Sequence, residues 1–352
     1  MQQKEILVIT GKHRFFGQSR KPWVSINTDK LLGYFEENDY KVQIMDFHEA
    51  INQNHEIKDK IIIYAFSQKD NYRNYIQDIV FHLSKQNTVI PAYDLLKCHE
   101  NKGYQELYLK SLGIQSLKTG YFSSASEVNT DDYPFPFILK TIKGSNGKGV
   151  FLIKNEHAFH KITDSLMKNF GTVTTLDLFR RKYLRKKKFK YYPEHSDRKD
   201  YYGYKDYITR EENFVIQQYI AGLSFDYRVL AAFDRFYVMK RSVMPGDFRA
   251  SGSKIFNFNE QPETGLLDFA SSIYNKFDSP FLSMDILFDG KDYYLAEYQA
   301  SHFGVTTIVG SRGYFSNPQN QSWEYVEEKP QLEYVYAKTY MNYISNLKPE
   351  NS

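Results

Sequence analysis

One cysteine, Cys98, stands in 352 residues, so no disulfide can close within the chain. A lone thiol suits a reducing compartment rather than a stapled, secreted scaffold. Long apolar runs are missing as well. The longest aliphatic stretch, Ile61-Ile62-Ile63-Tyr64-Ala65-Phe66, falls far short of the roughly 20 residues that a membrane-spanning helix needs. The opening residues up to Ile9 have no extended apolar region and no small-residue cleavage site, so no secretory signal is legible and a cytoplasmic protein is expected. Charge of one sign is scarce. The 46 basic and 42 acidic residues leave +4, too small a bias over this length to indicate a nucleic-acid partner. The nine histidines show no His-Glu-x-x-His spacing and Cys98 has no partner cysteine, which argues against a zinc site. Adjacent Cys98 and His99 do not build a catalytic dyad, and Cys98 reads as a small buried hydrophobe.

Aromatic residues are what the chain has in quantity. With 30 tyrosines and 27 phenylalanines inside a hydrophobic share of 41%, core material is ample, and the length suits two or three packed domains. The first ninety residues alternate apolar runs (5–10, 41–46, 60–66, 88–92) with polar helical stretches (29–38, 72–84), the pattern of an α/β unit with a parallel sheet. Residues 101–112 place Tyr104, Leu107, Tyr108 and Leu112 at helical spacing, Gly113 follows as a stop, and a strand is expected from Ile114. Phe137 to Lys140 and Val150 to Ile153 flank Gly144-Ser145-Asn146-Gly147-Lys148-Gly149, which predicts a hairpin whose glycine-rich tip can bring backbone N–H groups close to an anion. Between Phe179 and Arg210 the composition turns basic and tyrosine-rich, as in an insertion, spanning about 176–211. Apolar runs at 214–216, 227–232 and 236–241 suggest an antiparallel meander; a helix is expected over 265–277, and strands at 282–288 and 293–298 flank the turn Asp289-Gly290-Lys291-Asp292.

Three features carry chemistry: Lys140 beside a glycine loop, Arg249 in the turn Gly246-Asp247-Phe248-Arg249, and the acids Asp285 and Glu297 on neighbouring strands. Magnesium prefers hard oxygen ligands, usually a carboxylate or two together with phosphates and water. Asp285 and Glu297 sit on either side of one hairpin and can converge on one face, and Gln299, two residues on, shares that face by the period of two. His302, just beyond, either faces the same site or only packs. The combination describes a nucleotide–magnesium site.

In their order and spacing these residues resemble the ATP-grasp superfamily, in particular its RimK-like carboxylate–amine ligases, over roughly residues 101–304. Asn101-Lys102 at the start of a helix resembles the element whose lysine touches the nucleotide, and Lys140 with Gly144, Ser145, Asn146, Gly147 and Gly149 resembles the phosphate-covering loop. Gln217-Gln218-Tyr219-Ile220 is similar to the linker that holds adenine, Asp226-Tyr227-Arg228 to the acidic-x-Arg step that follows, and Lys240-Arg241 with residues 246–249 to the next strand and turn. Glu297-Tyr298-Gln299 stands where the family usually has Glu-x-Asn, and Ala250-Ser251-Gly252-Ser253 replaces the usual Ser-Asn.

The resemblance implies an α/β and α+β architecture. A Rossmann-like pre-ATP-grasp domain would span 1–97, a central subdomain with the glycine loop and the basic insertion 98–220, and a metal-bearing subdomain 221–352. It implies ATP and Mg2+, or Mn2+, as cofactors, with Lys102 and Lys140 on the phosphates, Asp285, Glu297 and Gln299 on the metal, and Gln217, Gln218, Tyr219, Ile220 and Asp226 around the nucleoside. Arg249, helped by Arg228 or Lys240, would stabilise an acyl phosphate and a tetrahedral oxyanion while an amine displaces phosphate. Two alternatives remain open at this point: phosphotransfer to a hydroxyl or carboxyl acceptor, and a non-catalytic ATP-binding module. In either the ligase or the module, the basic insertion could attract an anionic acceptor or polyanion, or it could be only a solvated segment.

Overall fold

Aliphatic runs short enough to be strands, separated by polar helical segments, set the architecture from the first residues. In the computed structural model, residues 4–17, 26–52, 56–66, 69–115, 117–144, 148–166, 172–184, 197–208, 212–249, 253–258, 261–318 and 322–347 are described. Packing divides the chain into two units, Met1–Leu117 with Ser145–Lys148 and Ile220–Ser352, and Lys118–Gly144 with Gly149–Tyr219.

The first unit opens with β1 (Glu5–Thr10), α1 (Thr28–Glu36), β2 (Lys41–Asp46), α2 (Phe47–Asn52), β3 (Ile61–Tyr64), α3 (Asp70–Leu83) and β4 (Thr88–Ile90). The strands pair in the order β2-β1-β3-β4, all parallel, as the alternation predicts. Successive strand residues face opposite ways, so Ile6 and Val8 pack with Leu31 and Phe35 of α1, whereas Leu7 and Ile9 pack with Phe47 of α2 and Ile76 and Val80 of α3. Helices α4 (Tyr93–Cys98) and α5 (Lys102–Ser111) follow. Asn101 caps α5, its side-chain oxygen accepting the Tyr104 N–H at 3.1 Å, and Gly113 ends it at φ +61°, a conformation that glycine adopts without a Cβ clash. No strand begins at Ile114. Ile114 and Leu117 are buried in irregular backbone, and the strand starts at Thr119 instead.

The second unit contains β5 (Thr119–Phe122), β6 (Phe137–Thr141), β7 (Val150–Ile153), α6 (Glu156–Leu166), α7 (Thr172–Tyr183), α8 (Asp197–Ile208) and β8 (Phe214–Gln218). Its antiparallel sheet runs β5-β8-β6-β7. The expected hairpin is β6 with β7, in register from Phe137 opposite Ile153 to Lys140 opposite Val150. Phe137, Leu139, Ile153, Phe214 and Ile216 form its core with Phe159 of α6. The meander expected for 214–241 does not form as such: β8 has both edges occupied, by β5 and β6, because an apolar run specifies a strand but not its partner. The basic, tyrosine-rich stretch is helical where it is described. In α7, Asp177 holds Arg180 at 2.7 Å and Arg181 at 2.9 Å, and the Arg181 guanidinium lies 3.6 Å from the Tyr204 ring centre of α8. The clusters at 185–188 and 191–192 lie outside the described residues.

The first unit resumes with β9 (Phe225–Ala232), β10 (Arg235–Ser242), β11 (Phe256–Asn257), α9 (Thr264–Tyr274), β12 (Phe281–Phe288), β13 (Tyr293–Gln299), α10 (Thr306–Gly310), β14 (Gly313–Ser316), β15 (Glu324–Glu327) and α11 (Leu332–Asn346). These strands pair as β13-β12-β9-β10-β14-β15, with β11 added against β10. One sheet face, carrying Tyr227, Val229, Val238, Met284 and Ile286, is covered by Leu266, Ala270 and Ile273 of α9 and Leu109 of α5. The other, carrying Leu230, Ala232, Tyr237 and Phe281, is covered by Phe303 and by Val335, Tyr336 and Tyr340 of α11. The same core includes Ile6, Val8, Leu31 and Phe35, so one hydrophobic layer joins both sheets of this unit.

Cys98 is buried, 3.3 Å from the Tyr298 hydroxyl, and burial pushes its thiol up to about 12. The thiolate is the reactive form, so the native protein at pH 8 is expected to resist iodoacetamide and to take up one carbamidomethyl group only after unfolding, as read by intact mass. Rapid labelling of the native protein would contradict this burial.

Candidate functional site

Strand alternation places the polar cluster. In an antiparallel ladder, directly opposed residues share a face. Arg241 of β10 opposes Asp226 of β9, Arg228 of β9 opposes Asp285 of β12, and Asp285 opposes Glu297 of β13. All five therefore stand on one face, in a band that crosses four strands. Farther along β9, Leu230 and Ala232 continue that face as hydrophobic core, so the charged band marks the polar end of a face that is otherwise apolar.

The band is locked by hydrogen bonds to charged groups. Arg241 donates from Nε to Asp226 Oδ1 at 2.6 Å and from Nη2 to Asp226 Oδ2 at 2.7 Å, and its Nη2 also lies 2.9 Å from Asp285 Oδ2. Arg228 donates from Nε to Asp285 Oδ1 at 2.7 Å and from Nη2 to Asp285 Oδ2 at 2.9 Å. The Arg241 and Asp226 side chains are 4% and 8% exposed, which makes this a buried network rather than a surface pair. Burial raises the Asp285 carboxyl, but the guanidiniums of Arg228 and Arg241 outweigh it and hold Asp285 well below the usual carboxylate range. For Asp226 burial is the larger influence and pushes the carboxyl up, against the pull of Arg241.

These bonds leave Asp285 with limited capacity. Each carboxylate oxygen offers two lone-pair sites. Oδ2 meets both arginines, while Oδ1 meets only Arg228 among them, so Oδ1 is the atom that can reach a further cation. Two aspartates and two arginines cancel in charge, and Glu297 then adds one negative charge with no ion-pair partner among the described residues. A β-bulge makes this possible. Ile286 opposes Leu295 while Asp285 opposes Glu297, so Ala296 is the extra residue. Without it Glu297 would point with Leu295 into the core; with it Tyr298 takes the core position and Glu297 turns to the polar face. Gln299, opposite Ser283, shares the face of Glu297.

Other expected site residues are distributed as follows. Lys102 is buried at the first position of α5, also in the first unit. Arg249 closes on Asp247, with Nε and Nη2 at 2.9 and 3.0 Å, after a turn in which the Asp247 N–H donates to the Met244 carbonyl at 3.0 Å and Gly246 takes φ +82°. Arg249 and two backbone N–H groups hold the Asp247 carboxyl down at about 2. Lys240 opposes Tyr227 and lies over the Phe225 ring at 3.9 Å, on the opposite face from Arg228. Of the adjacent Lys240 and Arg241, it is Arg241 that faces the acids. His302 packs against the Phe66 ring at 4.4 Å and is a core residue.

In the second unit, Lys140 opposes Val215 and Ile138 opposes Gln217, so Lys140 and Gln217 share the face away from the phenylalanine core. The Gln218 N–H donates to the Lys118 carbonyl at 2.8 Å, Tyr219 follows the end of β8, and Ile220 is the first residue of the returning first unit. Gly144 and Gly149 frame the loop, and at Gly149, φ +74°, a Cβ would lie 2.0 Å from Thr141 Oγ1, so only glycine fits. Ser145, Asn146 and Gly147 lie outside the described residues, as do residues 250–252.

No group of three or more His, Cys, Asp or Glu side chains stands together as a metal site among the described residues. The donor set in view is instead two carboxylates and one amide carbonyl, all hard oxygens, which suits a magnesium-like ion that keeps water and substrate oxygens in its shell.

No protein-family model matches the chain, and no curated protein matches it. Solved structures do. D-cycloserine synthetase DcsG superposes with a TM-score of 0.51 at 10% identity, over 96% of this chain and 99% of that one. The ADP complex of PurK, N5-carboxyaminoimidazole ribonucleotide synthetase, also gives 0.51, at 11% identity, over 89% of this chain and 74% of that one. A RimK-domain ATP-grasp protein from Sphaerobacter thermophilus gives 0.49 at 10% identity, over 83% and 89%. At such identities the likeness is one of fold, and the chain has the ATP-grasp fold.

Removing one member of a buried charge network leaves its partners unpaired, which typically costs about 3–5 kcal/mol. Arg241→Met is therefore expected to lower the urea-unfolding free energy by about that much, whereas Lys240→Met, which gives up a contact over Phe225, should lower it by less than about 1 kcal/mol. Equal losses would contradict the assignment of faces.

Proposed function

We propose that the protein is an ATP- and Mg2+-dependent ligase that joins a carboxylate to an amine through an acyl phosphate. The observation that carries this reading is the bulge-set pair Asp285 and Glu297, with Gln299 beside them, on the polar face of an ATP-grasp sheet. Two solved structures at a TM-score of 0.51 are named as synthetases, which favours ligation over simple phosphotransfer.

In this reading Asp285, through Oδ1, Glu297 and Gln299 hold the divalent ion, which when bound offsets negative charge on the phosphates. Lys102 and Lys140 bind phosphate oxygens, and the residues after β8 hold adenine through the backbone, with Gln217 and Gln218 beside it. The Gly144 to Gly149 loop covers the phosphates with backbone N–H groups. Arg228 commits Nε and Nη2 to Asp285, so Nη1 is the group it presents to developing negative charge. Arg249 stabilises the acyl phosphate and the oxyanion formed when the amine attacks. Asp226 acts at one remove, fixing Arg241 and through it Asp285. Lys240 has no part in the chemistry. The attacking amine enters neutral and the proton it loses leaves with the released phosphate, so none of these groups needs to shuttle it.

Glu297 can be changed without opening the buried network, which Asp285 cannot. Glu297→Gln is expected to lower acceptor-dependent ADP release by at least about a hundredfold while leaving the unfolding midpoint close to that of the parent protein. Acceptors are found by offering carboxylates and amines in pairs. Full activity of Glu297→Gln sinks the reading, and a product heavier than the acceptor by one phosphoryl group points to a kinase.

A further inference from the structure

Helix α7 carries an apolar stripe that is exposed among the described residues. Thr174, Asp177, Leu178 and Arg181 face inward, with Leu178 9% exposed and Arg181 over the Tyr204 ring of α8. On the other side Val173, Leu176, Phe179 and Tyr183 are 81%, 63%, 56% and 60% exposed. At 3.6 residues per turn these four fall within an arc of about 120°, which also takes in Thr172 and Arg180, so the strip is apolar with one cation set in it. Leu184, just past the helix, is also exposed. Single exposed apolar residues need no explanation, but an aligned row of four does.

Charge indicates what covers the row. The last turn of α7 holds Arg180, Arg181 and Lys182, and Asp177 is its only acid, already engaged by Arg180 and Arg181. Arg180 lies within the strip, in direction between Val173 and Leu176, and is exposed, and Lys182 lies over the Tyr183 ring at 5.1 Å. The sequence that follows adds Arg185, Lys186, Lys187 and Lys188. A polysaccharide or a free polyanion would satisfy the charges but would leave Val173, Leu176 and Phe179 in water. An anionic bilayer surface meets both requirements, because apolar side chains enter the acyl boundary while cations meet phosphate headgroups. No helix among the described residues is long and apolar enough to cross a membrane, so attachment along the surface is the mode available to α7.

We propose that α7 docks the protein on an anionic lipid surface, with Val173, Leu176, Phe179 and Tyr183 in the interface and Arg180 and Lys182 at the headgroups. The proposal is independent of the ligase reading, since none of these residues belongs to the nucleotide or metal machinery.

The test is co-sedimentation of the full chain with sucrose-loaded vesicles of phosphatidylcholine alone, or of equal parts phosphatidylcholine and phosphatidylglycerol. Binding to the mixed vesicles only, weakened by added salt, is expected. The double substitution Leu176→Glu and Phe179→Glu should reduce it at least about tenfold, while ADP formation and the unfolding midpoint stay unchanged. Arg180→Gln with Lys182→Gln should weaken it as well. Absence of vesicle binding overturns the proposal, as does binding that the glutamate pair leaves intact. If the parent protein instead elutes as a dimer that the glutamate pair dissociates, the strip is an interface between copies. If it ignores vesicles but binds soluble polyglutamate, the partner is an acidic macromolecule.

Discussion

The Arg241 guanidinium, shared between Asp226 and Asp285, is the contact on which the candidate site depends. From β10 it reaches Asp226 on the adjacent β9 and Asp285 on β12 one strand farther, and it removes the repulsion that two buried carboxylates would otherwise exert on each other. Arg228 then grips Asp285 from the neighbouring strand. Burying four charges is unfavourable unless each finds partners, and here Arg228–Asp285 and Arg241–Asp226 are each joined by two N–H donations, with Arg241 Nη2 also 2.9 Å from Asp285 Oδ2. A network of this kind fixes the direction in which one carboxylate oxygen points more firmly than it adds to stability.

That fixed direction matters because the sheet treats its two faces differently. One is sealed by α9 and α5, and the other is sealed by α11 only where Leu230, Ala232, Tyr237 and Phe281 carry the core. At the polar end of the second face the band of arginines and acids replaces the apolar layer. The bulge at Ala296 brings Glu297 onto this face, opposite an Asp285 that cannot swing away. Rigid backbone and paired charges thus fix the Asp285 carboxylate on the face that Glu297 shares, and the proposed metal role rests on that placement.

Much of this was legible in the amino-acid sequence, for physical reasons that differ between elements. The parallel sheet shows itself because Ile6 to Ile9 and Ile62 to Tyr64 are buried on both faces and read as unbroken apolar runs. The hairpin of β12 and β13 and the capped helix α5 are local structures with local signals. Those same unbroken runs conceal parity: in β10 both Phe236 and Tyr237 and both Val238 and Met239 are buried, so nothing in the sequence says whether Lys240 or Arg241 faces the acids. The partners of β8 depend on contacts distant in sequence, and Ala296 carries no mark of a bulge. Tyrosine and lysine obscure the helical period in α8, which meets α7 where Arg181 stacks over Tyr204.

The central claim is that Asp285 and Glu297 act together on one divalent ion in the presence of nucleotide. Electron paramagnetic resonance of Mn2+, titrated into the protein with saturating ADP, measures this directly. The parent chain is expected to bind Mn2+ in an ADP-dependent manner, and Glu297→Gln to lose at least about tenfold in that affinity while remaining folded. Unchanged Mn2+ affinity in a folded Glu297→Gln protein would contradict the claim.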